Sequence, residues 1–244
     1  MGKTRLDQSL VSLSLFESRA RAAAAIKAGQ VTVNGITAEK ASMSVSSDDN
    51  IEAQAAHDFV SRGALKLQKG LAHFDYDVRD GVFVDIGAST GGFTDVLLRH
   101  GSARVYAVDV GQNQLHDSLL RDRRVENMAG VNARHLAATD FERKLDGLVC
   151  DVSFISQSKA LAGLAPSLPA HAWVIALIKP QFELDKAALG KNGVVTDADL
   201  RLVACDDVSR WWQRQGWQVD DIIESPITGP QGNVEYLIGA RKSA

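Results

Sequence analysis

The sequence predicts an α/β protein: a doubly wound, mainly parallel sheet preceded by a smaller α+β module. Three observations carry this. From residue 82 onward, apolar runs of strand length alternate with helix-length segments, the pattern of parallel strands joined by right-handed crossovers. The run Val82-Phe83-Val84-Asp85-Ile86 enters Gly87-Ala88-Ser89-Thr90-Gly91-Gly92-Phe93-Thr94, which reads as a buried strand, a glycine-rich turn and a helix start. Before residue 56 the elements are short and the charge is locally basic.

Residues 4–16 and 18–29 read as two short helices. Ser18 is the expected N-cap of the second, Ala22 to Ala25 with Ile26 form its packing face, and Gly29 stops it. Gln30 to Gly35 gives a short strand ending in an Asn-Gly turn, and Ser42 to Ile51 adds alternating apolar positions around a Ser-Asp-Asp-Asn turn. The small module is therefore assigned to residues 1–56, a linker to 57–62 and the large domain to 63–244. The large domain opens with a helix carrying Leu65, Leu67, Leu71 and Phe74. Strands follow at 82–86, 104–109, Leu145 to Asp151 and Trp173 to Lys179, with helices near 92–100, 158–165 and 197–215. Two last strands, 217–224 and 233–240, flank the turn-rich stretch Ser225 to Gly232 and read as a closing hairpin.

The 244 residues, 45% hydrophobic and 23% charged, suit an ordinary globular chain with a full core. A net charge of −3 gives no global nucleic-acid signal, but the first thirty residues hold Lys3, Arg5, Arg19, Arg21 and Lys27 against Asp7 and Glu17. That is a local basic surface. Cys150 and Cys205 lie far apart, which argues for buried thiols over a disulfide or zinc site, and the six histidines form no ligand cluster. No metal is expected. The start Met1-Gly2-Lys3-Thr4-Arg5-Leu6 lacks the apolar region of a signal peptide, and no run approaches the roughly 18 apolar residues of a membrane span. The expected location is the cytoplasm.

The glycine loop excludes two common phosphate binders. Phe93 follows Gly92 where a P-loop carries Lys, and Ser89 occupies the second glycine position of the dinucleotide pattern. What remains is Asp-x-Gly-x-x-x-Gly followed by a second strand, Arg104 to Asp109, whose final acid suits a ribose diol. Acid, glycine loop and second acid together resemble the S-adenosyl-L-methionine site of Rossmann-like class I methyltransferases. By that resemblance the cofactor residues are Asp85, Gly87, Ser89, Gly91, Gly92, Phe93 and Asp109, with Asp109 at the ribose and Asp85 at the loop or the methionine end.

In an open α/β sheet the ligand crevice lies beyond the carboxyl ends of the strands. Two strands end there on a charge. Leu148-Val149-Cys150 closes on Asp151, and Ala176-Leu177-Ile178 closes on Lys179, which Pro180 keeps extended. Asp151 and Lys179 are therefore expected as neighbours, while position alone places neither Lys66 nor Glu235. Ser-Arg-Gly-Ala-Leu-Lys-Leu, Asp-Val-Ser-Phe-Ile-Ser, Ile-Lys-Pro-Gln-Phe-Glu and Gly-Asn-Val-Glu-Tyr are similar to the motifs that carry the Lys-Asp-Lys-Glu tetrad of FtsJ-like ribose 2′-O-methyltransferases. The resemblance makes Lys66, Asp151, Lys179 and Glu235 the catalytic candidates.

The run Ser18-Arg19-Ala20-Arg21 to Ile26-Lys27-Ala28-Gly29-Gln30-Val31-Thr32-Val33-Asn34-Gly35 resembles the α-L RNA-binding domain of a small-subunit ribosomal protein, pseudouridine synthases and tyrosyl-tRNA synthetases. That implies Arg5, Arg19, Arg21 and Lys27 as phosphate contacts, each adding sequence-independent affinity. Both halves together resemble the TlyA family of ribosomal RNA cytidine-2′-O-methyltransferases, which also bears the label hemolysin A. The implied partner is ribosomal RNA or a ribosomal subunit, bound by a monomer. One departure stands out: where some members carry Arg-x-Trp-Val, this chain has His57-Asp58-Phe59-Val60.

The chemistry implied is coherent. A ribose hydroxyl is a poor nucleophile near neutral pH, so its proton must leave as it attacks a sulfonium methyl in line, and Lys179 is the expected base. Phe154 is expected either to stack on adenine or a target base or to pack in the core, and Trp211-Trp212 to pack in the core. Two other functions fit the same residues: methylation of another RNA or position, and a non-catalytic RNA-binding assembly factor that retains the cofactor site. Membrane lysis, suggested by the hemolysin label, has no apolar span to support it.

Overall fold

The computed structural model describes residues 4–243 other than 14, 17, 47, 54–57, 191–192 and 230–231. Lys3 and Glu17 of the basic segment, His57 at the start of the expected linker and residues 230–231 of the hairpin turn lie outside the described residues. The chain divides into two compact units, Met1–Asp58 and Phe59–Ala244.

In the smaller unit the elements are β1 (Thr4–Arg5), α1 (Leu6–Ser12), α2 (Arg19–Lys27), β2 (Val31–Val33), β3 (Ile36–Thr37), β4 (Ser44–Val45) and β5 (Ile51–Ala53). The first helix starts later than the sequence pattern predicts because Thr4 and Arg5 are extended and pair with Val45 and Ser44. The Ser18 hydroxyl accepts from the Arg21 N–H at the start of α2, as an N-cap does. Asn34 and Gly35 both take positive φ, the primed turn that joins β2 to β3. Ala22 and Ala25 are fully buried beside Leu6 and Leu10, so small side chains let α1 and α2 approach closely.

In the larger unit the chain runs α3 (Ala64–Phe74), β6 (Val82–Ile86), α4 (Gly92–Arg99), β7 (Arg104–Asp109), α5 (Asp117–Leu120), β8 (Val125–Ala129) and β9 (Gly147–Cys150). It continues through α6 (Gln157–Ala160), α7 (Leu164–Ser167), β10 (Trp173–Ile178), α8 (Pro180–Glu183), α9 (Ala198–Arg214), β11 (Trp217–Glu224) and β12 (Tyr236–Lys242). The seven strands lie in the order β11-β12-β10-β9-β6-β7-β8, with β12 antiparallel to both its neighbours and the β10-β9-β6-β7-β8 pairings parallel. The closing hairpin is thus present. Two details differ from the pattern read in the sequence. Strand β8, Val-Glu-Asn-Met-Ala, was hidden by its polarity, which an edge strand paired only with β7 tolerates. The helix expected over 158–165 is two short helices, because Gly163 packs against the Leu136 carbonyl between them.

Every residue of β6 is buried, with Val84 and Ile86 facing one apolar layer and Phe83 the other. Trp212 is buried in the first layer and donates its indole N–H to Gln157 Oε1 at 2.9 Å. Cys150 and Cys205 are buried free thiols, each pushed up to about 12 by burial. Strand order reverses between β6 and β9, the point at which such sheets open a crevice at their carboxyl edge. A Cβ on Gly70 would lie 3.0 Å from Ile175, so α3 sits tight on the sheet and carries Lys66 into the interior.

Candidate active site

Asp85, one residue before the end of β6, ties the strand to the helix after the glycine loop. Its Oδ2 accepts from the Thr94 N–H at 3.0 Å and the Thr94 hydroxyl at 2.7 Å. Its Oδ1, also buried, has no hydrogen-bond partner among the described residues. Burial pushes this carboxyl up to about 7; Thr94 opposes the shift, and the nearby charges of Asp151 and Asp109 add to it.

Gly87 takes φ +82°, and a Cβ there would lie 2.7 Å from the Asp151 carbonyl oxygen. Any side chain would separate the two strand-end loops. Asp109 closes β7 with both oxygens engaged: Oδ2 accepts from the Ser89 N–H at 2.8 Å and Oδ1 from the Gly111 N–H at 2.7 Å. Each oxygen keeps a further lone pair for a ligand.

Two adjoining cavities flank this loop. The larger, about 390 Å³, is lined by Gly87, Asp109, Val110, Val131 and Ile155 among others. The smaller, about 230 Å³, is lined by Lys66, Asp85, Thr90, Phe93, Lys179 and Glu235 among others. Gly87, Ser89, Asp151 and Ser153 line both, so the two spaces meet at these residues.

The smaller cavity gathers four charged side chains from separate parts of the chain. Lys66 Nζ lies 2.7 Å from Glu235 Oε2 and 3.4 Å from Asp151 Oδ2, and Lys179 Nζ lies 2.5 Å from Asp151 Oδ1. Glu235–Lys66–Asp151–Lys179 is thus one ionic chain. Lys66, Lys179 and Glu235 are buried, while Asp151 keeps some exposure at the cavity wall. Glu235 Oε1 has no hydrogen-bond partner among the described residues. Lys179 is extended with Pro180 as the first residue of α8, so the proline both fixes the lysine backbone and turns the chain away.

Sequence reasoning missed the residues that brace these loops. Lys179 Nζ donates to the Ser153 hydroxyl at 2.9 Å. Glu183 Oε1 accepts from the Gln157 N–H at 2.9 Å, and Gln157 Nε2 donates to the Leu177 carbonyl at 2.8 Å. Burial pushes the Glu183 carboxyl up to about 7. The signal available was adjacency: all three, Ser153, Gln157 and Glu183, follow Asp151 or Lys179 by six residues or fewer. Phe154 is 91% exposed at φ +65°, with its ring 5.1 Å from that of Phe182, so its expected alternative use in the core does not hold. Phe59 and Val60 pack on α4: Arg99 lies over the Phe59 ring at 4.7 Å, and the Val60 N–H donates to Asp95 at 2.9 Å.

In the smaller unit, Arg5 and Arg19 share one buried carboxylate. Arg5 donates to Asp7 at 2.9 and 3.1 Å, and Arg19 donates to it at 2.8 and 3.2 Å. The two guanidinium groups hold the Asp7 carboxyl well below the usual carboxylate range. Both arginines stay about half exposed, Lys27 is exposed and Arg21 is half-buried. Among the described residues no group of three or more His, Cys, Asp or Glu side chains is placed to hold a metal, and no helix is long and apolar enough to cross a membrane.

Residues 59–242 match the FtsJ-like methyltransferase family, and residues 4–51 match the S4 domain. The chain is an FtsJ-like methyltransferase. This methyltransferase is 40% identical to the 16S/23S rRNA (cytidine-2′-O)-methyltransferase TlyA of Mycobacterium tuberculosis, over 98% of this chain and 90% of that protein. It is 38% identical to Hemolysin A of Brachyspira hyodysenteriae, over 96% of this chain and 98% of that one. It therefore belongs to the TlyA group of FtsJ-like methyltransferases. Among solved structures, the chain named "Putative hemolysin from Streptococcus thermophilus" superposes with a TM-score of 0.77 at 39% identity, covering 100% of this chain and 90% of that one. Membership of this methyltransferase family implies S-adenosylmethionine as the methyl donor.

Proposed function

We propose that this FtsJ-like methyltransferase methylates the 2′-hydroxyl of a cytidine in ribosomal RNA. The observation that carries the reading is the junction of the two cavities: the Glu235–Lys66–Asp151–Lys179 chain opens onto the space that meets the glycine loop at Gly87 and Ser89. The larger cavity has a volume suited to a small organic ligand. Its residues fit the donor's nucleoside: Asp109 offers lone pairs to a ribose diol, and the loop backbone at Gly87 and Ser89 can be approached closely; in the adjoining smaller cavity Asp85 Oδ1 offers an acceptor for an ammonium group. Gly91, Gly92 and Phe93 complete the turn that keeps this backbone in place.

When bound, S-adenosylmethionine supplies an electrophilic methyl whose bonding pair leaves with sulfur. Lys179 takes the 2′-hydroxyl proton on Nζ, and the freed oxygen pair forms the bond to the methyl carbon. Asp151 and Glu235 orient the two lysine side chains. Holding hydroxyl and methyl in line supplies several kcal/mol of the acceleration, as positioning does in such reactions. Phe154, exposed beside the larger cavity, offers a face on which a splayed base can stack. The S4 domain supplies Arg5, Arg19, Arg21 and Lys27 to phosphate oxygens, with Asp7 holding the first two in place.

The direct experiment uses labelled donor with separated ribosomal subunits, followed by mapping of the modified nucleotide. A single 2′-O-methylated cytidine is the expected product, and RNA already methylated there should accept no label. Absence of transfer to either subunit overturns the reading. Replacing Arg21 and Lys27 with alanine is expected to weaken RNA binding and lower the salt slope by roughly 2, with kcat at saturating RNA retained. An unchanged slope removes these residues from the RNA contact.

Cofactor binding should depend on pH through Asp85. Its carboxyl, pushed up to about 7 by burial, loses its charge as pH falls through neutrality, and with it the attraction for the ligand's ammonium. S-adenosylhomocysteine affinity, measured by calorimetry, is expected to drop about tenfold from pH 8 to pH 6. Asp85→Asn should bind weakly across the range and lose that dependence. A wild-type affinity flat from pH 8 to pH 6 excludes this role.

A further inference from the structure

A lysine that accepts a proton must present its nitrogen in one direction. Lys179 Nζ is bonded to Cε, donates a hydrogen bond to the Ser153 hydroxyl at 2.9 Å, and lies 2.5 Å from Asp151 Oδ1 in an ion-pair contact in which that oxygen accepts no hydrogen bond among the described residues. Lys179 lines the smaller cavity, with Ser153 as its side chain's hydrogen-bond acceptor and Asp151 as its ion-pair partner.

Asp151 alone cannot fix that direction. Its contact to Lys179 is ionic and its Oδ1 accepts no hydrogen bond among the described residues, so it leaves the nitrogen free to turn about the Cε–Nζ bond, and this carboxylate is shared, since its other oxygen faces Lys66 at 3.4 Å. Lys66 has a second anchor in Glu235 at 2.7 Å, and Ser153 is the corresponding second anchor for Lys179. Ser153 sits two residues after Asp151 in the same loop and lines both cavities, so its hydroxyl stands where donor and acceptor sites meet.

We propose that Ser153 is a positioning residue for the methyl transfer: by accepting one N–H of Lys179 it fixes the turn of the amine about Cε–Nζ and so aims its lone pair at the ribose hydroxyl. This rests on the assignment of Lys179 as base. One N–H of the amine is then spent on Ser153, which sets the directions of the other two positions about Cε–Nζ, and the lone pair that accepts the proton takes one of these. After the transfer the new N–H occupies it, and the bond to Ser153 persists, so the nitrogen does not reorient during the step.

The test compares Ser153→Ala and Ser153→Thr in the full-length protein, with S-adenosylmethionine and the ribosomal subunit that the wild type methylates. Ser153 is exposed, so neither change disturbs the core. Ser153→Ala is expected to lower kcat about tenfold, the worth of one hydrogen bond to a reacting group, with KM for RNA and affinity for S-adenosylhomocysteine each within about twofold of wild type. Ser153→Thr, which keeps the hydroxyl, should recover kcat to within about threefold. The proposal is overturned if Ser153→Ala retains full kcat, if the loss appears as weakened cofactor binding with kcat intact, or if threonine behaves as alanine does. Failure of the underlying reading looks different: the wild-type protein itself then transfers no methyl to ribose.

Discussion

Replacing Lys179 with methionine is expected to lower ribose methylation by about a thousandfold or more, with S-adenosylhomocysteine bound as tightly as by the wild type. Lys179 Nζ lies in the smaller cavity against Asp151 and Ser153, and Lys179 does not line the larger cavity where Asp109 stands. Methionine fills nearly the same volume without the amine, so the change removes proton acceptance and leaves packing in place. Arginine at this position should not rescue, because a guanidinium does not give up its proton in a protein. The assay is single-turnover transfer of labelled methyl to the substrate subunit, with calorimetry for the cofactor product. A non-catalytic assembly factor predicts the reverse: function in ribosome assembly intact in the lysine variant. Full transfer by Lys179→Met would remove the lysine as base and leave the cluster a structural one.

Much of the site was legible because strand ends share an address. Asp85, Asp109, Asp151 and Lys179 each stand at the carboxyl end of an apolar run, and a parallel sheet puts those ends on one edge. Lys66 and Glu235 carried no such address. The first lies on α3 before the sheet begins and the second in the loop before β12, and 169 residues separate them although their charges meet at 2.7 Å. Only resemblance to a family linked them to the pair. The basic N-terminus was legible as charge but not as arrangement: Asp7, which reads as a deduction from that charge, is the anchor that Arg5 and Arg19 share. Strand β8 escaped because hydrophobic alternation reports burial, and an edge strand whose residues are half-buried or exposed gives little of it. Phe154 stayed open between stacking and core packing, since nothing in an apolar residue type announces that the chain will hold it in the left-handed region and out in solvent.

Glu235→Ala is expected to destabilise the large unit by about 3 kcal/mol or more, in addition to abolishing methyl transfer. Glu235 is 1% exposed and Lys66 7%, so truncating the acid leaves an ammonium in the interior with only the shared Asp151 carboxylate at 3.4 Å to answer it. The cost comes from the charge left behind more than from the bond lost. The double variant Lys66→Met, Glu235→Met separates the two consequences. With neither charge to desolvate, its stability in urea should return to within about 1 kcal/mol of wild type, while methyl transfer stays lost. That divergence bears on why the chain buries an ion pair at all. A pair kept for stability alone would be replaceable by apolar side chains of similar size without loss of activity. In this protein Lys66 contacts Asp151, which in turn contacts Lys179, so with Lys179 proposed as the base the pair's proposed use is to fix that base's position. An activity that survives in the double variant would sever that chain of contacts from the chemistry. A urea midpoint unchanged by Glu235→Ala alone would show that water reaches Lys66 and that the pair is not buried in solution.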